Sequence, residues 1–343
     1  MDENKNKELV KGLLENCEAQ EKGFEGMNVQ ETIYIYYLLG DEIKGKPDKP
    51  EYKKAQTFVF RMIISKLYSC EKIYVAYNKA TKYPHVDDRG CAWLFSQKEL
   101  ADKAAEYYMN MLIAVYPVEV EQNRIGQTIG LMRNIYGIDK LLIDNGVFNV
   151  TVNTKALSSS AAEKEKSSTE IRSDLTNPEL FCSILQYFEN GYRAGIMKKD
   201  DKLMPMLENN MMGCITKANF LIPYKNNDKS AAMPAPGEVR EVTDPTNIAI
   251  ANIVNQEDNT SWIPVFTDWN EFRKMYNTDE WGGLVTGYKR LEIMCDHCTG
   301  GAVINPNGVP VRLDKLTRSR ISSYLEDIVG ETDFSHIPDS FEN

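Results

Sequence analysis

A repeated order of secondary-structure signals constrains this chain more than any other feature. In WLFSQKEL an apolar strand ends at Phe95-Ser96 and a helix pattern begins, and PVFTDWNEF does the same at Phe266-Thr267. Both halves carry two helices, a strand, a loop, a strand ending in Phe, a helix, a strand, a helix and a closing hairpin. The hairpins read LLIDNGVFNVTV and AVINPNGVPVRL. The shared order predicts an α+β fold of two similar domains, each a small mixed β-sheet with flanking helices, related by internal duplication. A small sheet leaves a face or an edge to be covered, and a second copy or another chain can supply that cover. The two copies are expected to pack across a pseudo-twofold axis.

Local signals place the boundaries. Residues 1–26 form a charged N-terminal segment in which Leu9, Leu13 and Leu14 suggest one short, loosely docked helix. A first domain is expected over 27–156, with the Tyr- and Ile-rich ETIYIYYLL read as helix. Ser96 is a candidate N-cap, with Glu99 completing a capping box. Asp144-Asn145-Gly146 between apolar runs signals a hairpin. The small, polar ALSSSAAEKEKSST marks a linker over 157–172, followed by a second domain over 173–330 and a tail over 331–343. In the second domain a single strand is expected over Ile248–Val254, after a long loop or inserted hairpin over 225–245. Thr267 is the N-cap candidate for the helix carrying Trp269, Phe272 and Tyr276. Gly308 is expected at positive φ in the Asn305-Pro306-Asn307-Gly308 turn.

Composition narrows the function classes. A length of 343 residues suits two domains. Fifty acidic against 40 basic residues give a formal charge of -10, which argues against a protein built to hold long stretches of nucleic acid. The N-terminus has no apolar signal-peptide core, and no apolar run approaches the ~20 residues that span a membrane. Seven cysteines, an odd number at low density, suit a reducing cytosol.

Trp262-Ile-Pro-Val-Phe-Thr-Asp268, the helix pattern after it and Ala302-Val-Ile-Asn-Pro-Asn-Gly308 resemble the N-terminal domain of the bacterial SseB family, named for enhanced serine sensitivity. That family has a strand carrying an apolar-Pro pair, matched by Ile222-Pro223, a Pro-Val-Phe-Thr strand and a Leu-Asn-Pro-Gly-like turn. The resemblance runs over roughly 175–320, and more faintly over 30–155, where Asp144-Asn145-Gly146 replaces the distinctive turn. The resemblance brings no catalytic residues with it.

Few fragments look chemical. Cys295-Asp-His-Cys298 has the spacing of a zinc or redox pair, but the local sequence supplies too few ligands for a closed zinc site. His85, beside Asp87 and Asp88, is either part of a carboxylate-tuned site or of a solvated turn. No catalytic, cofactor-binding or metal-binding residue is assigned, and no cofactor is expected. A possible recognition surface comprises Trp262, Asp268, Trp269, Asn305, Gly308 and Arg312, although Asp268, Asn305 and Gly308 also suit purely structural roles. The expected function is therefore that of a non-catalytic, cytoplasmic bacterial protein-binding or regulatory scaffold protein. Its partner is another protein rather than nucleic acid or membrane, and it is a monomer or homodimer. The alternative is an enzyme or small-ligand sensor with a site in the cleft between the two copies.

Overall fold

A computed structural model describes residues 3–158, 175–197, 202–226 and 248–331. The chain divides into two compact units, Met1–Arg133 with Ile138–Ser167, and Asn134–Gly137 with Ser168–Asn343. Each is an α+β arrangement of mixed sheet and flanking helices. Among the described residues no helix is long and apolar enough to cross a membrane. The expected linker lies mostly outside the described residues, as do the tail beyond 331 and the loop over 227–247.

The N-terminal unit opens with three helices, α1 (Glu3–Asn16), α2 (Val29–Ile43) and α3 (Pro50–Ser69). The charged segment is an integral part of this unit rather than a loosely docked one. Leu9, Leu13 and Phe24 join Ile35, Leu39 and Val59 in one core cluster. Its charges fall on the opposite side of α1, as the 3.6-residue period requires. ETIYIYYLL is helical because Asn28 caps α2 in a full capping box with Glu31.

The sheet that follows contains β1 (Lys72–Asn78), β2 (Cys91–Phe95), β3 (Val115–Glu121), β4 (Lys140–Ile143) and β5 (Val150–Asn153), in the order β3-β1-β2-β4-β5. Helix α4 (Lys98–Met109) connects β2 to β3, α5 (Ile125–Asn134) leads to β4, and α6 (Thr154–Ser158) follows β5. Only β2 and β4 pair in parallel, so the sheet is mixed. The central β2 is buried along its whole length, which explains its unbroken apolar run.

In the C-terminal unit α7 (Pro178–Met197) and α8 (Leu203–Lys217) precede β6 (Asn219–Asn226). The expected strand over Ile248–Val254 is instead two short strands, β7 (Ile248–Ile250) and β8 (Ile253–Val254). The chain changes partner at Ala251, whose N–H donates to Pro223, so β7 pairs with β6 and β8 with β9 (Ser261–Val265). After β9 come α9 (Trp269–Arg273), β10 (Gly282–Gly287), α10 (Tyr288–Cys295), β11 (Gly301–Ile304), β12 (Val311–Leu313) and α11 (Lys315–Glu331).

Two sheets, β10-β6-β7 and β12-β11-β9-β8, meet at an antiparallel bridge between Leu221 and Phe266. Read through that bridge, the order is β10-β6-β9-β11-β12, again with one parallel pair, β9 with β11. The order and pairing directions match those of the N-terminal sheet. Even the short strands have counterparts there, in the bridges Tyr77–Pro84 and Val86–Ala92 beside β1 and β2.

Candidate recognition site

The six residues singled out from sequence fall into two groups and one outlier. Asp268, Asn305 and Trp269 gather where β9 and β11 end, and Trp262 and Arg312 lie on a sheet face. Gly308 sits in the turn between β11 and β12.

Asn305 follows the last residue of β11, and its N–H donates to Val265 at 2.8 Å. Its side-chain carbonyl accepts the Thr267 N–H at 3.0 Å, and its amide donates to the Thr267 hydroxyl at 2.9 Å. That hydroxyl donates in turn to Asp268 at 2.8 Å. The other Asp268 oxygen accepts from the N–H groups of Asn270 and Glu271, capping α9. Asp268 and Asn305 are both 2 % exposed. Burial pushes the Asp268 carboxyl above the usual carboxylate range, against the pull of the Thr267 hydroxyl and the capped N–H groups. Their polar atoms serve the fold, because a buried donor left unpaired costs about 1–3 kcal/mol.

Two sequence expectations need correction here. Thr267 is not the N-cap; Asp268 is, one residue later, because the threonine hydroxyl is already committed to Asn305 and Asp268. Gly308 does not adopt positive φ; Asn305 does, at 48°. The left-handed bend comes at the first residue of the turn, where an Asn side chain can bond the neighbouring strand end and tolerate that conformation. Gly308 donates its N–H to the Asn305 carbonyl at 2.9 Å, closing the turn.

Trp269 is half-buried. Its ring lies 4.9 Å from Phe272 and joins a cluster with Leu221 and Phe266. A side-chain carbon at Gly283 would stand 2.7 Å from the Trp269 ring, so that glycine lets the indole lie against β10. Trp269 is therefore chiefly a packing residue.

Trp262 and Arg312 present differently. The register pairs Trp262 with Gly301, and Val303 with both Pro264 and Arg312, which puts all of these on one face of the sheet. Arg312 is exposed, with its guanidinium carbon 5.6 Å from the centre of the half-buried Trp262 ring. That is cation–π range. The indole N–H donates to the Thr260 hydroxyl at 2.9 Å, and that hydroxyl donates to Asp258 at 2.6 Å. Hydrogen bonds from Thr260, ahead of the Arg312 charge, hold the Asp258 carboxyl below its ordinary value. From below, Gly300 approaches the indole so closely that any side-chain carbon there would collide with it. Thr260, two residues before the tryptophan, is the one support the sequence places near it; Gly300 is 38 residues away and reaches the indole only through the pairing of β9 with β11.

The N-terminal unit has the same strand-end junction with different chemistry. Asp144 follows β4 with φ 57°, and its N–H donates to Leu94 at 2.8 Å. Its carboxylate accepts the Ser96 N–H at 2.7 Å and the Ser96 hydroxyl at 2.8 Å. Ser96 is thus not the expected N-cap and forms no capping box with Glu99. The cap of α4 is Gln97, which makes no side-chain capping bond. Asp144 is fully buried, and desolvation, opposed by the Ser96 bonds, raises its carboxyl to about 6. With Asp144 aligned to Asn305, and Leu94 to Val265, the register sets Cys91 at the place of Trp262 and Thr151 at that of Arg312.

The other chemical candidates resolve locally. Asp87 accepts from the N–H groups of Arg89 and Cys91 and from the Trp93 indole, so its loop is an ordered turn rather than a solvated one. His85 is buried against the Trp93 ring at 4.6 Å. Among the described residues, no group of three or more His, Cys, Asp or Glu side chains is arranged to hold a metal ion. His336 lies outside the described residues.

A family model described as the SseB protein N-terminal domain matches residues 205–316. The match begins within α8 and ends in the first turn of α11, so it contains all six residues above and leaves out the N-terminal unit. No curated protein and no solved structure matches the chain.

Proposed function

We propose that this chain is a non-catalytic protein-binding or regulatory scaffold protein whose contact surface, in the C-terminal unit, centres on Trp262 and Arg312. The observation carrying this reading is the stacked pair itself, an exposed guanidinium over a half-buried indole. Trp and Arg are the side chains that most often dominate binding energy at protein interfaces. An indole already fixed by Thr260 and backed by Gly300 loses little further freedom on binding, which favours affinity. Asp268, Asn305 and Gly308 shape the strand ends of that sheet, and Trp269 packs against Phe272 and β10.

We also infer that the two units descend from one duplicated domain. Support comes from their common strand order and from the paired junctions Ser96–Asp144 and Thr267–Asn305. On this reading the contact surface belongs to one copy alone, since Cys91 and Thr151 cannot reproduce the stacked pair. The SseB likeness supports a bacterial origin, and seven cysteines at low density support a reducing cytoplasm. The partner is a protein, and the chain itself is a monomer or homodimer.

The test compares recovery of bound protein from cell lysate by wild type, Arg312→Ala and Trp262→Ala, each scaled to its folded fraction by denaturant titration. Arg312→Ala is expected to lose at least about tenfold in recovery with an unchanged midpoint, as a hot-spot arginine should. Equal recovery by all three proteins rejects the surface.

A further inference from the structure

Cys295 is the last residue of α10 and is fully buried, whereas Cys298 is half-buried. The Cys298 N–H donates to the Cys295 carbonyl at 3.1 Å, closing a four-residue turn. Such turns hold their first and fourth Cα atoms within about 7 Å, and disulfides span about 4.4–6.8 Å. Both cysteines line the same open cavity of about 630 Å³, walled by α10, the Cys298–Gly300 segment and the start of α11. Its charged walls are balanced, with Glu292 and Asp296 facing Lys315 and Arg318, and Arg318 bonded to Asp296 at 2.7 Å.

We propose that Cys295 and Cys298 form a thiol–disulfide exchange site that takes a low-molecular-weight disulfide from this cavity. Cys298, the more accessible of the two, gives up its proton and its Sγ attacks one sulfur of the external disulfide. The other sulfur leaves as a thiolate and takes up that proton, so a mixed disulfide remains on Cys298. Cys295 then loses its proton, and its Sγ attacks the Cys298 sulfur. The second external thiolate departs and is protonated. Two protein thiols are oxidised to one disulfide, and one external disulfide is reduced to two thiols.

The surroundings set the direction of this exchange. Burial, assisted by the Asp296 and Glu292 carboxylates and opposed by Arg318, raises the Cys295 thiol to about 11. Burial also raises Cys298, against a hydrogen bond with Ser261. The pair stands at the negative end of a helix, the reverse of the helix N-terminal dithiols whose thiolates are stabilised. A dithiol whose reduced form gains no such stabilisation holds its disulfide tenaciously once it has formed.

The folded protein is incubated with oxidised glutathione, denatured, alkylated with iodoacetamide and mapped by peptide mass. In wild type, the peptide holding both cysteines is expected to lose two hydrogen atoms and escape alkylation. Cys295→Ser should stop at a glutathione adduct on Cys298, and Cys298→Ser should leave Cys295 free to be alkylated. The proposal is overturned if wild type keeps glutathione on Cys298, if both cysteines are alkylated, or if either pairs elsewhere. Should a variant fail to fold, the wild-type peptide mass alone decides.

Discussion

The strand-end junctions of the two units solve one problem with the charge in different places. In each, a residue at positive φ leaves the central parallel pair of strands and bonds the backbone just after a Phe. In the N-terminal unit that residue is Asp144, and the Ser96 hydroxyl gives its proton to the carboxylate. In the C-terminal unit it is Asn305, whose amide donates to the Thr267 hydroxyl and so leaves the hydroxyl proton for Asp268. The carboxylate has crossed the hydroxyl, from the strand end to the helix cap. Once there it does a second job, holding the first N–H groups of α9, a helix of only 5 residues. Helix α4, with 12 residues, does without a side-chain cap. A short helix gains little from its own propagation, so its cap matters more.

This comparison can be broken first by pH. Burial raises Asp144 from an ordinary 3.8 to about 6 in the folded protein. Between those values the folded state binds a proton that the unfolded chain has released. Stability from this group is therefore full below about pH 4 and falls as pH rises through about 6, by about 3 kcal/mol. Asp144→Asn should flatten that part of the profile, and denaturant titration from pH 4 to 7.5 measures it. A profile unchanged by the substitution would remove the buried-carboxylate account.

Asn305→Ala comes next in size. It leaves the Thr267 N–H without its partner and puts alanine at φ 48°, at a cost of about 2 kcal/mol in the C-terminal unit. A loss below about 0.5 kcal/mol in chemical denaturation would mean that the junction bears no weight. Asp268→Ala should cost about 1 kcal/mol, the usual value of a lost N-cap. Hydrogen exchange at Asn270 and Glu271, whose N–H groups it accepts, locates the effect. Gly308→Ala should cost least, under about 0.5 kcal/mol, because Gly308 lies outside the left-handed region that demands glycine. A larger loss would indicate crowding in the turn.

Much of the architecture was legible in the sequence because strand ends and hairpins carry local signals. Phe95-Ser96 and Phe266-Thr267 announced the repeated order, and apolar spacing located most helices. What local signals could not show was where a hydroxyl proton goes. Ser96 and Thr267 look like caps, but strands distant in sequence bring Asp144 and Asn305 to them, and those partners take the hydroxyl. Residue preference points to Gly308 for positive φ, whereas the bend falls at Asn305, where a side-chain bond across 38 residues of chain stabilises it. In sequence, Asp268 and Asn305 stand in the same motifs as Trp262 and Arg312. Only burial separates the residues that build the face from the pair that displays it.

Photo-crosslinking from within cells tests most directly whether the contact surface belongs to the C-terminal unit alone. A benzophenone amino acid replaces the exposed Pro310, two residues before Arg312, in one protein and Asn149, its counterpart just before β5, in another. The account predicts a discrete crosslinked protein from position 310 and none from position 149. The same crosslinked protein from both positions, or from position 149 alone, would contradict it.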